Sequence, residues 1–328
     1  MIASSQRWKP WIPALLTAAL LSACGGGGSD ANTSTALSTS TPASQLTQEP
    51  GAPVATNNIA TDGYNWINYR RGQVGLASLS RNSLIDRAAQ GHSDYLKANN
   101  TVAHEQVAGK PGFTGVQLGD RLSNAGYVIN TSNSYAYGEV IAGASNTSGF
   151  YLAEELITAI YHRFVIFEPI FKEGGAGAAV STSGYAYFTT DFAANNGYGP
   201  GLSNGQVVTY PFNGQTKVAT SFSSDNETPD PVPKQDIVGY PISVHANIYD
   251  TLKVTSFTVR QRGASSDLTV LLLKKDGNPS PADDPNAPRT AASIIPLSTL
   301  AAATTYDVSF TGTVNGAAVV RNWSFTTR

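Results

Sequence analysis

The stretch Tyr135-Ala136-Tyr137-Gly138-Glu139-Val140-Ile141 carries one carboxylate within an alternating, largely apolar segment of a 328-residue chain. Alternation of this kind predicts a β-strand that presents Glu139 on one face. We therefore start from this strand and ask which other chemically active side chains the chain can bring to it.

Helical patterns flank the strand on both sides. Thr61-Asp62 predicts the cap of a first helix, and apolar residues at spacings of three and four predict a second one. The predicted elements are helices over 61–73, 80–99, 118–126 and 150–161, with hairpin strands over 177–180 and 185–192. Helices and antiparallel strands mixed in this order predict an α+β layered domain.

Two of the four histidines, His104 and His162, lie at the ends of predicted elements on either side of Glu139. Imidazole binds transition metals and transfers protons near neutral pH. If folding brings the three side chains together, they form a divalent metal site, zinc in first place, with open positions for water. Zinc there would lower the pKa of bound water toward about 7. The alternative is a hydrogen-bonded polar network that lines a cleft.

Other polar residues near this trio have simpler interpretations. His92 falls within the apolar stripe of the second helix, which favours a hydrogen-bonded core histidine. Glu105 adjoins His104 and is the candidate catalytic acid or base, with an exposed loop carboxylate as the alternative. Arg163 follows His162 and is expected to cap a helix C-terminus rather than pair with a cleft acid.

These contexts and their order resemble the CAP superfamily, the cysteine-rich secretory, antigen 5 and pathogenesis-related proteins. The likeness covers roughly residues 62 to 195. Besides the His104, Glu139 and His162 contexts, it rests on Asn68-Tyr69-Arg70, Val74-Gly75-Leu76, Ala88-Ala89-Gln90-Gly91-His92-Ser93 and Gly174-Gly175-Ala176-Gly177. The resemblance implies a CAP-like α-β-α sandwich, with a cleft whose two histidines and acids hold a divalent cation.

The sequence departs from the family at one corner of that cleft. The family often places a second acid about one turn before the last histidine, where this chain has Thr158 and Ala159. The nearest carboxylates are Glu154 and Glu155. A three-residue site of His104, Glu139 and His162 is therefore expected rather than a four-residue one.

The N-terminal 24 residues indicate export. Arg7 and Lys9 precede an apolar run that is too short to span a bilayer and ends in Leu21-Ser22-Ala23-Cys24. This tetrapeptide resembles a bacterial lipobox, whose cysteine is acylated, and Cys24 is the only cysteine. The expected location is the cell envelope, anchored to the membrane through Cys24, with the outer membrane favoured because Gly25 follows the cysteine. An ordinary secretory signal is the alternative.

Residues 25–58 are rich in Gly, Ser, Thr, Ala and Pro, a composition that predicts a flexible tether. The expected domains are then a CAP domain over 59–200 and an all-β immunoglobulin-like sandwich over 201–328. The immunoglobulin-like sandwich is expected because residues alternate between polar and apolar on both sides of Asn315-Gly316, which is a strong two-residue hairpin signal. No basic block is present, so nucleic acid is not an expected partner.

From the sequence, three functions stay open. The first is an exported CAP-domain protein whose cleft binds a divalent cation or small ligand. The second is a metal-assisted hydrolase of envelope peptides, glycans or lipids, with Glu105 as its extra acid or base. The third is a module that binds a sterol, a lipid or a surface partner.

Overall fold

The computed structural model describes residues 49–275 and 283–328. The predicted signal segment, Cys24 and most of the predicted tether lie outside these residues. Within them, no helix combines the length and apolarity needed to cross a bilayer.

The first part of the described chain contains five helices and four strands, which we number in chain order. They are α1 (Ile59–Gln73), β1 (Ser80–Arg81), α2 (Ser83–Asn99), α3 (Leu118–Asn124), β2 (Ala136–Ala144), α4 (Gly149–Thr158), α5 (Ile160–Ile166), β3 (Glu173–Val180) and β4 (Ala186–Ala194). The strands form one sheet in the order β1-β3-β4-β2, so that β2 is an edge strand.

Helices cover both faces of this sheet. On β4, the Phe188 ring lies against the backbone of Gly63 in α1, whereas the next residue, Thr189, accepts a hydrogen bond from Ser93 of α2 at 3.0 Å. Successive residues of a strand point to opposite faces. The α1 and α2 helices therefore belong to different layers, as the predicted α-β-α sandwich requires.

The contact between α2 and the sheet depends on glycine. A Cβ at Gly175 would lie 2.2 Å from the backbone nitrogen of Asp86, and one at Gly177 would lie 2.2 Å from that of Gln90. No side chain fits into these spaces. The glycines of β3 thus allow the α2 backbone to approach the strand directly.

The first two helices begin at different residues from those predicted. The α1 helix is capped by Asn58, whose side chain accepts from Thr61, while the Asp62 carboxylate accepts from the backbone of Thr56. The α2 helix is capped by Asn82, because residues 80–81 pair with β3 as a short strand. Both N-cap residues are asparagines, a residue type that is as favourable at the N-cap as serine or aspartate.

The helix predicted over 150–161 is in fact two helices. The helix is interrupted at Ala159, whose backbone is extended (φ −67°, ψ 120°), and α5 starts at the next residue. The buried guanidinium of Arg163 donates to the backbone carbonyls of Ile157 and Thr158 at the end of α4, which confirms its predicted role as a cap. His162 consequently lies in the first turn of α5, not at the end of a helix.

The last ten residues of the predicted tether are bound to the domain. The Glu49 carboxylate makes an ion pair with the buried Arg70 at 2.6 Å, and Arg70 also pairs with Glu154 at 2.9 Å. The guanidinium stacks over the Trp66 ring. A buried guanidinium needs carboxylate partners, and Glu49 supplies one of them.

The remainder of the described chain is built from strands: β5 (Val208–Tyr210), β6 (Ser221–Ser223), β7 (Ile237–Gly239), β8 (Ile242–His245), β9 (Leu252–Gln261), β10 (Val270–Leu273), β11 (Ala291–Pro296), β12 (Thr305–Val314) and β13 (Ala317–Thr326). They form sheets in the orders β10-β11-β8-β5, β13-β12-β9 and β6-β7. The predicted hairpin is confirmed, since Val314 pairs with Ala317 and both Asn315 and Gly316 have positive φ. The immunoglobulin-like assignment of this all-β region stays a prediction.

One apolar core runs through both parts of the chain. It includes Trp66 and Phe150 of the helical part together with Tyr210, Ile242 and Phe310 of the β region. Burial of this apolar surface is the main stabilising contribution for both. The β region therefore packs directly on the helical part.

Replacing Gly175 by alanine tests the close approach of α2 to β3. Because the new methyl group meets backbone atoms, we expect Gly175→Ala to lower the free energy of unfolding by about 1–3 kcal/mol or more. The control is Gly72→Ala, at an exposed position of α1 where a Cβ meets no atom within 4 Å. There we expect a gain of about 0.5–1 kcal/mol. Urea denaturation followed by circular dichroism measures both, and equal stability of the two variants would contradict the packing described.

Candidate functional site

The centre of the candidate site is the buried carboxylate of Glu139 on edge strand β2. Its cross-strand neighbour on β4 is Asp191. Glu139 faces the α2–α3 layer, since its partners come from there, whereas the adjacent Gly138 faces Val165 of α5. Side chains from the α2–α3 layer therefore contact one face of β2, and side chains from α5 contact the other face.

Both oxygens of the Glu139 carboxylate are occupied. His104 Nδ1 lies 2.9 Å from Oε1, and the Arg121 guanidinium lies 2.6 Å from Oε2. Burial alone would raise the pKa of Glu139, but the Arg121 charge and the His104 hydrogen bond outweigh it and hold the pKa at about 2. The carboxylate is therefore ionised and only accepts hydrogen bonds, so His104 carries its proton on Nδ1.

His104 belongs to the loop of residues 100–117 between α2 and α3, which we call the His104 loop. Its side chain is 59% exposed, although its partner is buried. Within the part of the chain that the structure describes, Nε2 of this ring has no hydrogen-bond partner. A neutral imidazole held in this way presents the Nε2 lone pair as a metal ligand or proton acceptor.

His92 holds the His104 loop from inside. It is fully buried, with Nε2 2.9 Å from the carbonyl of Ala103 and Nδ1 2.9 Å from the side-chain nitrogen of Gln106. Burial lowers the pKa of His92 and the nearby Glu139 charge raises it. The effect of burial is the larger one, so the pKa is about 4. The ring is neutral and fixes the residues that flank His104. The prediction of a hydrogen-bonded core histidine is confirmed.

Asp191 is a second buried acid beneath the site. Neither of its carboxyl oxygens has a hydrogen-bond donor within the described residues. Burial first, and then the charge of Glu139, raise the pKa of Asp191 well above its usual value. The raised pKa favours the protonated form of Asp191, which avoids a second negative charge beside Glu139.

His162 is held by a different carboxylate, on the other side of β2. Its Nδ1 lies 3.0 Å from Oε1 of Glu227, a residue of the β region. The ring is largely buried, with 18% of the side chain exposed. As at His104, a carboxylate occupies Nδ1, and Nε2 has no partner among the residues that the structure describes.

The structure thus brings together two of the three predicted ligands, His104 and Glu139, and places His162 with Glu227. Glu139 accepts hydrogen bonds from a guanidinium and an imidazole, and its role as a metal ligand stays a prediction. Across residues 49–275 and 283–328, no three His, Cys, Asp or Glu side chains are grouped so that they could hold a metal ion. Each histidine has Nδ1 bound to a carboxylate, Glu139 for His104 and Glu227 for His162, and leaves Nε2 without a partner among the described residues.

The remaining predicted acids have other roles. Glu105 is exposed and accepts a hydrogen bond from Gln117 at 2.7 Å. Glu154 belongs to the Arg70 network and also accepts from Trp66 at 2.6 Å. Burial and the neighbouring Glu154 raise the pKa of Glu155 to about 7. Neither of the two acids of α4 has a hydrogen bond or ion pair with His104, Glu139 or His162.

Sequence reasoning missed Arg121, Asp191 and Glu227. A carboxylate at an inward position of an apolar strand is a signal that could have identified Asp191 in Ala186–Ala194. Arg121 lies in a short helix with no distinguishing pattern. Glu227 is separated from His162 by 65 residues, so nothing local indicates their contact.

His92 offers a test of this arrangement through pH. Its pKa is depressed to about 4 in the folded chain, against about 6.5 in an unfolded one. The unfolded chain therefore binds a proton that the folded chain does not, and the His92 contribution to stability is lost as the pH falls from 6.5 to 4. We expect His92→Gln to weaken this pH dependence by up to about 1.4 kcal/mol per pH unit. Urea denaturation at several pH values measures it, with the range from pH 7 to 8 as the internal control. Parallel curves between pH 4 and 6.5 would refute the buried neutral imidazole.

Comparison with known proteins gives limited structural likeness. An extracellular protein with an SCP domain from Bacillus anthracis strain Ames matches at 22% identity over 43% of this chain and 44% of its own, with a TM-score of 0.35. An outer surface protein of Borrelia burgdorferi matches at 15% identity over 43% of this chain and 96% of its own, with a TM-score of 0.36. The chain thus spans under half the length of the first of these relatives. No curated protein matches it.

A family model gives the more specific result. The model of the cysteine-rich secretory protein family, CAP, matches residues 64–192. This range begins in α1, ends in β4, and includes His92, His104, Glu139 and His162. Residues 64–192 of this chain are therefore a CAP domain.

Proposed function

We propose that this chain is an exported, lipid-anchored protein of the cell envelope whose CAP domain binds a divalent cation or small ligand through the free nitrogens of His104 and His162. The observation that carries the proposal is the state of the two rings. Each has Nδ1 fixed by a carboxylate, at 2.9 Å and 3.0 Å, and each leaves Nε2 available. The envelope address rests on the N-terminal signal and Cys24.

The proposal changes the role of Glu139 from that of a ligand to that of an orienting residue. Metal-binding histidines commonly donate their second ring N–H to a carboxylate, which fixes the tautomer and increases the basicity of the ligating nitrogen. Glu139 has this relation to His104. A zinc ion held by imidazoles would act as a Lewis acid on the water or ligand that fills its other positions.

A hydrolase needs more than these groups. The side chain predicted as its extra acid or base, Glu105, bonds to Gln117 rather than to His104. No other described contact favours hydrolysis, so binding is the function that the geometry supports best.

Zinc titration of the full-length chain, prepared without a metal-binding tag, tests the cation proposal. Removing an imidazole ligand removes a coordinate bond, so His104→Ala and His162→Ala are each expected to weaken zinc binding by tenfold or more, about 1.4 kcal/mol at least. The control is Glu105→Gln, which alters an exposed neighbour of His104 and should leave the affinity unchanged. Isothermal titration calorimetry gives affinity and stoichiometry. Zinc binding that survives in His104→Ala, or its absence in the wild type, would reject cation binding at this site.

A second candidate, an apolar ligand such as a sterol or fatty acid, is favoured by the composition of the His104 loop. Val107 is 60% exposed and Phe113 is 39% exposed, and Val102 and Val116 of the same loop are also exposed. Exposed apolar side chains beside a polar group provide the two kinds of contact that an amphipathic ligand needs.

Titration with a fluorescent fatty acid tests this second candidate. Each buried apolar side chain contributes about 1.5–3 kcal/mol, so the double variant Val107→Ser, Phe113→Ser is expected to weaken binding by at least about tenfold. Val128→Ser, at a residue that is 73% exposed and outside the loop, is the control. Equal affinities of the double variant and the control would exclude the loop as the binding surface.

A further inference from the structure

The first turn of α5 is closed by one carboxylate from the β region. Glu227 accepts the backbone N–H groups of Ile160 at 2.7 Å, Tyr161 at 2.6 Å and His162 at 3.2 Å. The first N–H groups of a helix have no partner within the helix, and a side-chain acceptor satisfies them. Glu227 does this for three consecutive residues and accepts from the His162 ring as well.

Glu227 is itself held in place by a compact segment. It follows the 3-10 turn Ser224–Asn226, and its backbone N–H donates to the carbonyl of Ser224 at 3.1 Å. Ser224 is fully buried and bonds through both its backbone N–H and its hydroxyl to the chain at Asp236 and Gln235. The Glu227 side chain is fully buried, so its orientation is set by packing rather than by solvent.

The β region also holds the rest of α5. The Tyr161 hydroxyl donates a hydrogen bond to Asp284 at 3.0 Å, and the Arg163 guanidinium donates one to the carbonyl of Pro241 at 2.7 Å. Phe164 packs edge-on against the His245 ring and shares a core cluster with Phe222. Every residue from Ile160 to Phe164 is therefore in contact with the β region.

We propose that Glu227 is the positioning residue of His162, so that the β region sets the orientation and tautomer of this CAP-domain histidine. Glu227 selects the tautomer that leaves Nε2 of His162 free, and it fixes the ring relative to the helix that carries it. Glu139 has the equivalent role for His104, since it binds Nδ1 of that ring from within the CAP domain. The proposal rests on the proposed function for the use of Nε2, but the ring state of His162 is observable by itself.

The helix break before His162 provides the place for the Glu227 carboxylate. Thr158 ends α4, and Ala159 is the residue at which the helix breaks. The break exposes the N–H groups of Ile160, Tyr161 and His162, which creates a place for one carboxylate. Glu227 supplies it from a distant part of the sequence.

The test compares Glu227→Ala with Asp284→Ala in the full-length chain. Both substitutions remove a β-region carboxylate that contacts α5. Of these two carboxylates, Glu227 contacts His162, whereas Asp284 contacts Tyr161. Ring nitrogen chemical shifts, assigned with His162→Ala, report the tautomer. We expect Nδ1–H in the wild type and in Asp284→Ala, and a shift toward the Nε2–H form in Glu227→Ala.

Zinc affinity is the second readout. Loss of a carboxylate that orients a ligating histidine typically weakens metal binding by about 10–100-fold. We expect this loss in Glu227→Ala and no change in Asp284→Ala. Glu227→Gln, which retains one acceptor oxygen, should preserve the Nδ1–H tautomer and give an intermediate affinity. If circular dichroism shows that Glu227→Ala does not fold, the zinc affinity of Glu227→Gln decides the question, and an affinity equal to that of the wild type would overturn the positioning role.

The outcomes separate the two proposals. If the wild type binds no zinc, cation binding is wrong, and the tautomer measurement still decides the role of Glu227. An unchanged tautomer in Glu227→Ala would overturn the positioning role whatever the affinity. The same tautomer change in Asp284→Ala would also overturn it, because the effect would then come from general loosening of α5.

Discussion

The charge on Glu139, kept ionised inside the protein, is the constraint around which the CAP domain is arranged. An isolated buried carboxylate is costly, and it persists only when it is paired and hydrogen-bonded. Arg121 supplies the compensating charge and His104 supplies the hydrogen bond. Asp191 occupies the adjacent position on β4, where burial and the Glu139 charge raise its pKa well above the usual value and so disfavour a second charge. Because Arg121 comes from α3 and His104 from the preceding loop, this one carboxylate joins the edge strand to the layer above it.

Local patterns predicted those parts of the fold that depend on local physics. The alternation around Glu139 predicted the strand, and the Asn315-Gly316 turn predicted the β12–β13 hairpin, because strand period and turn geometry are encoded in a few neighbouring residues. The break at Ala159 was missed. The sequence around it is compatible with one continuous helix. In the folded chain, Glu227 and Arg163 satisfy backbone groups at the two helix ends that meet there.

The candidate site shows the same division. The pairing of His104 with Glu139 and the core position of His92 were within reach of the sequence, because the residue types and the apolar stripe indicate them. The partners Arg121 and Glu227 were not, since a guanidinium or carboxylate reveals its partner only when the chain is folded. Glu154 and Glu155, the acids nearest to His162 along the sequence, have no hydrogen bond or ion pair with it among the described residues. The carboxylate that meets His162 comes from the β region.

The shared apolar core has a consequence for how this protein can vary and how it loses its structure. Trp66 of α1 and Ile242 of β8 belong to one continuous cluster. Separate modules joined by a linker can melt one after the other and can be exchanged between proteins, whereas halves that share an interior are expected to unfold in one all-or-none transition. Recombination at the boundary near residue 200 would then expose an apolar face on each fragment. The β region and the CAP domain are accordingly expected to fold as one unit.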